Sequence, residues 1–220
     1  MAYRVIDRET YYRREAFRRF SEDCKCSLSL TARVDVTDLA ARSKATGTKF
    51  YLNFLYLLTK VLNSREDYRM DYFYKTDELV VYDVIHPTHY AFHKDTETCT
   101  PVYSTYYRDY ETFYRHAAAD LNWAKENPVY IREATREPNR FDASYIPWVS
   151  YDALHLELPD GYLYFAPIVN WGAYREEGGR LMMPVTVRMN HAVADGYLVA
   201  NVFRLLKQEI DAFTHNDSEE

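Results

Sequence analysis

Apolar and polar residues alternate over residues 185–190, and the period then changes to that of a helix over residues 199–213. Alternation is typical of a strand with one buried face, whereas apolar residues at spacings of three and four are typical of an amphipathic helix. The pattern predicts a strand that leads directly into a long C-terminal helix. The turn between them is predicted at residues 191–196.

The same patterns predict the remaining elements of the chain. Apolar residues at helical spacing predict four further helices, over residues 9–20, 37–43, 49–65 and 109–126. Thr37 is expected to cap the second of these helices. Alternation predicts strands at about 26–36, 68–73, 79–84, 88–93, 97–106 and from 144 onward. The middle four strands are expected to form an antiparallel meander, and the charged stretch 132–142 is expected to be a loop.

Length and composition favour one domain. The 220 residues are 47% hydrophobic, which suits one sizeable core, and neither an internal repeat nor an inter-domain linker is apparent. A single domain over residues 1–220 is therefore expected, with a frayed acidic tail at about 215–220.

Charge and hydropathy argue against several classes of protein. The net charge of -6 argues against a nucleic-acid-binding protein. No apolar run approaches a membrane span, and the N-terminal stretch does not have the composition of a signal peptide. The three cysteines, Cys24, Cys26 and Cys99, predict no disulfide framework and favour a reducing cytoplasm.

The turn at residues 191–196 holds the candidate chemistry. His191 at the end of a strand can be partly desolvated and still reachable, as a general base near neutral pH requires. The alternative is a buried histidine with its hydrogen bonds satisfied, followed by Asp195 as a helix N-cap. A metal site is not expected, because His191 and Asp195 would supply only two ligands and because His86 and His89 face opposite sides of a strand.

Arg13 is a second candidate. It shares a predicted helix face with Phe17 and Phe20. A buried guanidinium on such a face would need a counterion, unless the side chain extends to solvent.

Several separate motifs carry a resemblance to one family. H-x-x-x-D-G at 191–196 closes a strand and opens the last helix, and it is preceded in the chain by R-R-E at 13–15, K-F-Y at 49–51, S-x-x-P-W at 144–148 and F-A-P at 165–167. In this order they resemble the chloramphenicol acetyltransferases and the related dihydrolipoyl acyltransferase cores. The resemblance implies an α+β fold, with a mixed, largely antiparallel sheet and helices packed on it in two layers.

The resemblance also implies a role for each matching position. His191 would be the general base, oriented by its own backbone carbonyl, and Ser144 would donate to the oxyanion. Arg13 and Asp195 would form an ion pair that supports the turn. Acetyl-coenzyme A, with no metal, would be bound through Lys49, Phe50, Tyr51, Trp148 and Tyr174. The acceptor would be bound through Phe20, Cys24, Cys26, Tyr90, Cys99, Val169 and Asn170.

Departures from the family pattern leave the acceptor open. Asn190 replaces a usual histidine, and Tyr90, Cys99 and Asn170 replace residues common in relatives. The first hypothesis is acetyl transfer to chloramphenicol, which would confer antibiotic resistance. The alternatives are O-acyl transfer to another small hydroxyl compound and a non-catalytic module that binds a hydrophobic ligand. The resemblance further implies a cytoplasmic homotrimer with sites between subunits, to which the tyrosine-rich composition is suited.

Overall fold

The computed structural model describes residues 2–157 and 164–215. Within them lie five α-helices: α1 Arg14–Arg18, α2 Thr37–Thr46, α3 Phe50–Leu62, α4 Tyr110–Glu126 and α5 Gly196–His215. The strands are β1 Tyr3–Val5, β2 Ser27–Asp35, β3 Met70–Phe73, β4 Glu78–Tyr82, β5 His86–His93, β6 Thr98–Tyr103, β7 Arg140–Ile146, β8 Ile168–Gly172, β9 Arg175–Glu177 and β10 Arg180–Asn190. The predicted α+β class is confirmed. Of the predicted frayed tail, His215 ends α5, and residues 216–220 lie outside the described part.

A mixed sheet forms one layer of the domain. Its strand order is β2-β10-β8-β7-β5-β6, with β9 also paired to β10, and only the β8-β7 and β7-β5 pairs are parallel. A smaller antiparallel sheet has the order β1-β4-β3. Helices α2, α3 and α5 pack against one another, and α5 packs on β2 and β10.

Strand β10 is central because one of its faces is apolar and the other is polar. Val185, Val187 and Met189 are buried in the main core, each contributing about 1.5–3 kcal/mol of apolar burial. The opposite face carries a polar row across four strands, in which Thr186 lies beside Asn170, which lies beside Ser144. Thr31 completes the row through a hydroxyl–hydroxyl contact of 2.7 Å with Thr186. Ser144 is therefore presented on the polar face of the sheet.

The first helix differs from its prediction at both ends. It was expected over residues 9–20 but begins at Arg14, because the Asp7 carboxylate accepts hydrogen bonds from the Glu9 backbone and the Thr10 hydroxyl and so forms a turn. Beyond Arg18 the chain continues as a π-helical turn to Asp23. The predicted cap at Thr37 is also wrong, because Asp35 accepts from the Thr37 backbone and Thr37 is the first residue of α2.

Two of the strand predictions are corrected as well. The four middle strands form two hairpins in different sheets instead of one meander, because the Asn63 side chain hydrogen-bonds both the N–H and the C=O of Ile85 and separates β4 from β5. Strand β7 begins at Arg140, inside the predicted loop 132–142. Its charged residues, Arg140 and Asp142, lie on the polar face of the sheet, and Phe141 between them is buried in the core. The strand does alternate, but its charged residues make the stretch look like a loop in the sequence.

Candidate active site

The His191 ring lies at the end of β10 and is held by an aromatic neighbour. It stacks on Phe20, with ring centroids 3.9 Å apart and an angle of 11° between planes. The His191 backbone N–H donates to the Cys26 carbonyl at 3.0 Å, which fixes the first residue after the strand. Two of the expected acceptor residues, Phe20 and Cys26, thereby contact His191, and Cys24 lies two residues before Cys26 in the chain. The side chain of His191 is partly exposed.

The two nitrogens of the His191 ring differ. Nδ1 is buried and has no hydrogen-bond partner among the described residues. The expected bond to its own backbone carbonyl is therefore not present, and the stack on Phe20 holds the ring instead.

Asp195 joins the turn to the last helix and to the first. Its Oδ1 accepts from the Leu198 backbone at 3.1 Å, which caps α5, and its Oδ2 accepts from Arg13 Nη1 at 3.0 Å. Burial acts to raise the pKa of Asp195, but the hydrogen bonds from Leu198 and Arg13 outweigh it and the pKa lies below its ordinary value. Arg13 and Asp195, paired by the resemblance, form an ion pair in the structure.

A cavity of about 750 Å³ lies beside β7, and Ser144 is one of its lining residues. Its size is that of a small-molecule site. The expected coenzyme residues Lys49, Phe50, Tyr51 and Trp148 line it, together with Tyr90 and Cys99 from the expected acceptor set. The fifth coenzyme residue, Tyr174, is 5.5 Å from Phe50 between ring centroids.

Aromatic contacts build the walls of this cavity. Tyr51, Tyr145 and Trp171 pack ring on ring, with centroids 5.7–5.9 Å apart. At the rim, Trp148 makes an edge contact with Phe92 at 4.6 Å, and both rings are exposed. The backbone segments at Val149 and Gly172 also pack closely. A Cβ at Gly172 would lie 2.6 Å from the Val149 carbonyl oxygen, so this contact requires glycine.

His191 and Ser144 are not brought together within one chain. Ser144 lies in register with Thr186, two strands away, and His191 lies five residues beyond Thr186, just after the end of β10. Strand spacing and rise place their Cα atoms roughly 19 Å apart. One carbonyl group cannot contact both side chains of the same chain.

Two of the expected acceptor residues, Val169 and Asn170, are not among the residues that line the cavity. Val169 has no exposed surface and packs in the main core, so as positioned it offers no surface to a ligand. Asn170 lies on the polar face, where its backbone carbonyl accepts from the Tyr151 hydroxyl. Asn190, the departure next to the histidine, is buried and accepts from the Ala192 backbone, which supports the turn.

Sequence reasoning missed several residues that line the cavity. Lys125 in the last turn of α4 and Lys49 give the cavity two cationic side chains. A cation in a last helical turn was visible in the sequence, but it is also explained by the helix dipole and therefore carries no signal for a ligand. The other residues missed are Ala91, Phe92, Leu121, Tyr145, Ile146 and Pro147.

The histidines of the β5 region are occupied by hydrogen bonds. His86 Nδ1 accepts from the Tyr106 backbone, and His89 contacts Tyr51 and Ser104. Among residues 2–157 and 164–215, no group of three or more potential ligands is placed to hold a metal ion. Over the same residues, no helix is long and apolar enough to cross a membrane.

Comparison with known proteins identifies the family. The family model for chloramphenicol acetyltransferase matches residues 1–207. The chain is 31% identical to a chloramphenicol acetyltransferase of Escherichia coli over 209 residues, 95% of this chain and 94% of that protein. It is 32% identical to chloramphenicol acetyltransferase 2 of Escherichia coli over 96% of this chain and 98% of that protein.

Solved structures support the fold. A chloramphenicol acetyltransferase structure aligns with a TM-score of 0.85 and 22% identity, covering 95% of this chain and all of the other. A truncated catalytic core of the 2-oxoacid dehydrogenase complex from Thermoplasma acidophilum aligns at 0.67 and 13% identity, covering 91% of this chain and 95% of the other. With the family model and the identities above, these alignments lead to one conclusion: the chain belongs to the chloramphenicol acetyltransferase family.

Proposed function

We propose that the protein transfers the acetyl group of acetyl-coenzyme A to a hydroxyl group of chloramphenicol and so inactivates the antibiotic. The observation that carries the proposal is the cavity in which Ser144 lies among Lys49, Tyr51 and Trp148, in a chain of this family. The three cysteines are free, which suits the cytoplasm, where we expect the protein to act.

His191 would act as the general base. An alcohol is a weak nucleophile at neutral pH, so its proton must leave as its oxygen attacks the acetyl carbon. Nε2 of His191 would take that proton. When the tetrahedral intermediate collapses, the carbon–sulfur bond breaks, and the imidazolium returns the proton to the sulfur of coenzyme A. An acyl-enzyme is not needed for this direct transfer.

Ser144 would stabilise the intermediate. The acetyl oxygen gains negative charge as the carbonyl is attacked, and a fixed hydroxyl donor lowers the energy of that charge. Ser144 is near the C-terminal end of β7, on the polar face of the sheet and at the cavity wall. A strand is a rigid support for such a donor.

The separation of the two groups is the reason to propose an oligomer. Because His191 and Ser144 of one chain are roughly 19 Å apart, one active site would need His191 of one subunit and Ser144 of the next. A head-to-tail contact of this kind closes into a ring when the rotation from one subunit to the next divides a full turn. We propose a homotrimer with a site at each of its subunit contacts.

The cavity is suited to the coenzyme in shape and charge. The apolar walls from Tyr51 and Trp148 would pack on the pantetheine arm, and Tyr174 next to Phe50 would pack on the adenine side. Lys49 and Lys125 would attract the phosphates.

An assay of thiol release tests the function directly. Purified protein is incubated with acetyl-coenzyme A and either chloramphenicol or a panel of other small alcohols, and free coenzyme A is measured. Release with chloramphenicol is expected. Release only with another alcohol would establish the second hypothesis, an acyltransferase for a different acceptor. No release with any acceptor, together with binding of a hydrophobic ligand, would establish the non-catalytic module.

The oligomer has its own test. Light scattering at working concentration should give three times the mass of the chain, and a monomer with full activity would contradict the shared site.

A further inference from the structure

A chain of three hydrogen bonds connects Tyr51, at the cavity, to Asp120 of helix α4. The Tyr51 hydroxyl lies 2.9 Å from His89 Nδ1, and His89 Nε2 lies 2.9 Å from Ser104 Oγ. Ser104 Oγ in turn donates to Asp120 Oδ2 at 2.7 Å. His89 and Ser104 have no exposed surface. We refer to Tyr51, His89, Ser104 and Asp120 as the Tyr51 relay.

The chemistry of the four groups fixes the direction of every bond in the relay. A carboxylate only accepts, so the single proton of Ser104 is directed at Asp120. Ser104 must therefore accept from His89 Nε2–H. A neutral imidazole carries one N–H, which leaves His89 Nδ1 as an acceptor for the hydroxyl of Tyr51.

The environment keeps these protonation states in place. Burial lowers the pKa of His89 to about 3, so the ring is neutral over the physiological range. Burial also raises the pKa of Tyr51, so its hydroxyl retains its proton. That proton is directed at His89, and the Tyr90 backbone N–H also hydrogen-bonds the phenol oxygen. The Tyr51 oxygen therefore has a remaining lone pair, and no proton, to offer a bound molecule.

We propose that His89, Ser104 and Asp120 are positioning residues that make Tyr51 a hydrogen-bond acceptor toward the coenzyme, and that Tyr51 thereby binds an amide N–H or hydroxyl of the pantetheine arm. Tyr51 lines the cavity in which the coenzyme is proposed to bind, so this inference rests on the proposed function. It assigns to the relay a part in coenzyme affinity, not in the chemical step.

The histidine tautomer is the first test, and it needs no substrate. Long-range proton–nitrogen correlation spectra of the full chain, labelled with nitrogen-15 in histidine, report which ring nitrogen carries the proton. The native protein should show His89 protonated at Nε2. Ser104→Ala removes the acceptor of that proton, so His89 should change to the Nδ1–H form and donate to Tyr51 instead. A native His89 protonated at Nδ1, or no change in Ser104→Ala, would overturn the relay.

A double-mutant cycle is the second test. Ser104→Ala should raise the KM for acetyl-coenzyme A about 3- to 10-fold, the range for one lost neutral hydrogen bond, with kcat unchanged. In a Tyr51→Phe background the same substitution should have no further effect on KM, because the relay acts only through the phenol. A KM effect of equal size in both backgrounds would refute the inference.

Two variants separate positioning from loss of structure. Thr88→Val removes another fully buried hydroxyl bond of strand β5, from Thr88 to the Ala134 carbonyl, and should destabilise the chain without raising KM. Ser104→Thr keeps the hydroxyl and should restore the native KM. If no acceptor is turned over, calorimetry with coenzyme A gives the same comparison, and absence of binding would count against the proposed function while the tautomer still tests the relay.

Discussion

The turn that holds His191 and the cavity that holds Ser144 are built by different forces. An ion pair, a helix cap and one ring stack hold the turn, through Arg13, Asp195 and Phe20. The cavity is held by aromatic packing on the sheet, around Tyr51 and Trp171. The turn therefore depends on charge and pH, whereas the cavity depends on apolar burial.

This difference indicates that the proposed base, His191, and the proposed coenzyme-binding cavity belong to separate regions of the chain. His191 is at a strand end, stacked on Phe20, and Ser144 lies among the residues expected to bind the coenzyme. Substitutions in one region should then change turnover, and substitutions in the other should change affinity. In the proposed trimer, each region would be completed by a neighbouring subunit.

Replacement of the base should have the largest effect. His191→Ala should lower kcat by about 10²- to 10⁴-fold with the fold kept, because general bases contribute on that order. Circular dichroism and thermal melting check the fold. His155→Ala, at an exposed histidine, is the matched control and should leave kcat unchanged. Native turnover in His191→Ala would end the assignment of this residue as the base.

Replacement of the oxyanion donor should have the next largest effect. Ser144→Ala should lower kcat by roughly 10²- to 10³-fold, with little change in KM, because the hydroxyl acts on charge that develops only during reaction. Ser150 offers a control, because its Oγ is buried without a hydrogen-bond partner among the described residues. A fall in activity of Ser150→Ala as large as that of Ser144→Ala would contradict the specific role of Ser144.

Mixing the two inactive variants tests the separation itself. If each site takes His191 from one subunit and Ser144 from the next, random trimers of His191→Ala and Ser144→Ala chains should regain about a quarter of native activity. The two proteins are unfolded, mixed in equal amounts and refolded together before the assay. Each variant refolded alone is the control. No gain on mixing would show that both groups act within one chain.

The sequence predicted the elements with strong periodicity. Helix α4 was expected close to its observed bounds, and the predictions for helix α5 and for the C-terminal half of β10 lie within the observed elements, because each has a continuous apolar face. It failed where a single side chain redirects the backbone. Asp7 delays the start of the first helix, and Asn63 divides the expected meander, and neither effect has a period to detect.

The candidate site was predicted in parts. The motifs led to His191, Ser144 and the ion pair between Arg13 and Asp195, since each motif is local in sequence. They did not reveal that His191 and Ser144 are far apart in one chain, because that distance depends on strand order. Val169 was assigned to the acceptor although it faces the core, an error that follows from transferring a position without its orientation.

A variant at the cavity rim should affect affinity more than turnover. Trp148 is 64% exposed and contacts Phe92, so it has ring surface free to pack on a ligand. Trp148→Ala should raise the KM for acetyl-coenzyme A by about fivefold, with kcat nearly unchanged, because an aromatic contact is worth about 1 kcal/mol beyond its burial. Trp123→Ala, at an exposed tryptophan of α4 outside this cavity, is the control. A fall in kcat alone would place Trp148 in the chemistry instead.

The ion pair at the turn should give the smallest effect, and it should depend on pH. Asp195→Asn keeps the helix cap, since Asn also caps well, and removes only the charge. The Asp195 side chain is 42% exposed and solvent screens the pair, so the free energy of unfolding should fall by about 1 kcal/mol and Tm by about 2–4 °C. Asp211→Asn breaks a more exposed pair with Lys207 and should leave Tm unchanged.

The sign of the pH dependence follows from the lowered pKa of Asp195. A carboxyl group whose pKa is lower in the folded than in the unfolded chain stabilises the fold fully above the unfolded value, about 4. That stabilisation is lost as the pH falls through the lowered pKa, so the Tm difference between native protein and Asp195→Asn should be constant near neutral pH and shrink below about pH 4. Melting curves from pH 7 to pH 3 measure it. A native Tm with activity abolished would instead give Asp195 a direct part in the chemistry and would end the contrast between a supporting ion pair and a reacting histidine.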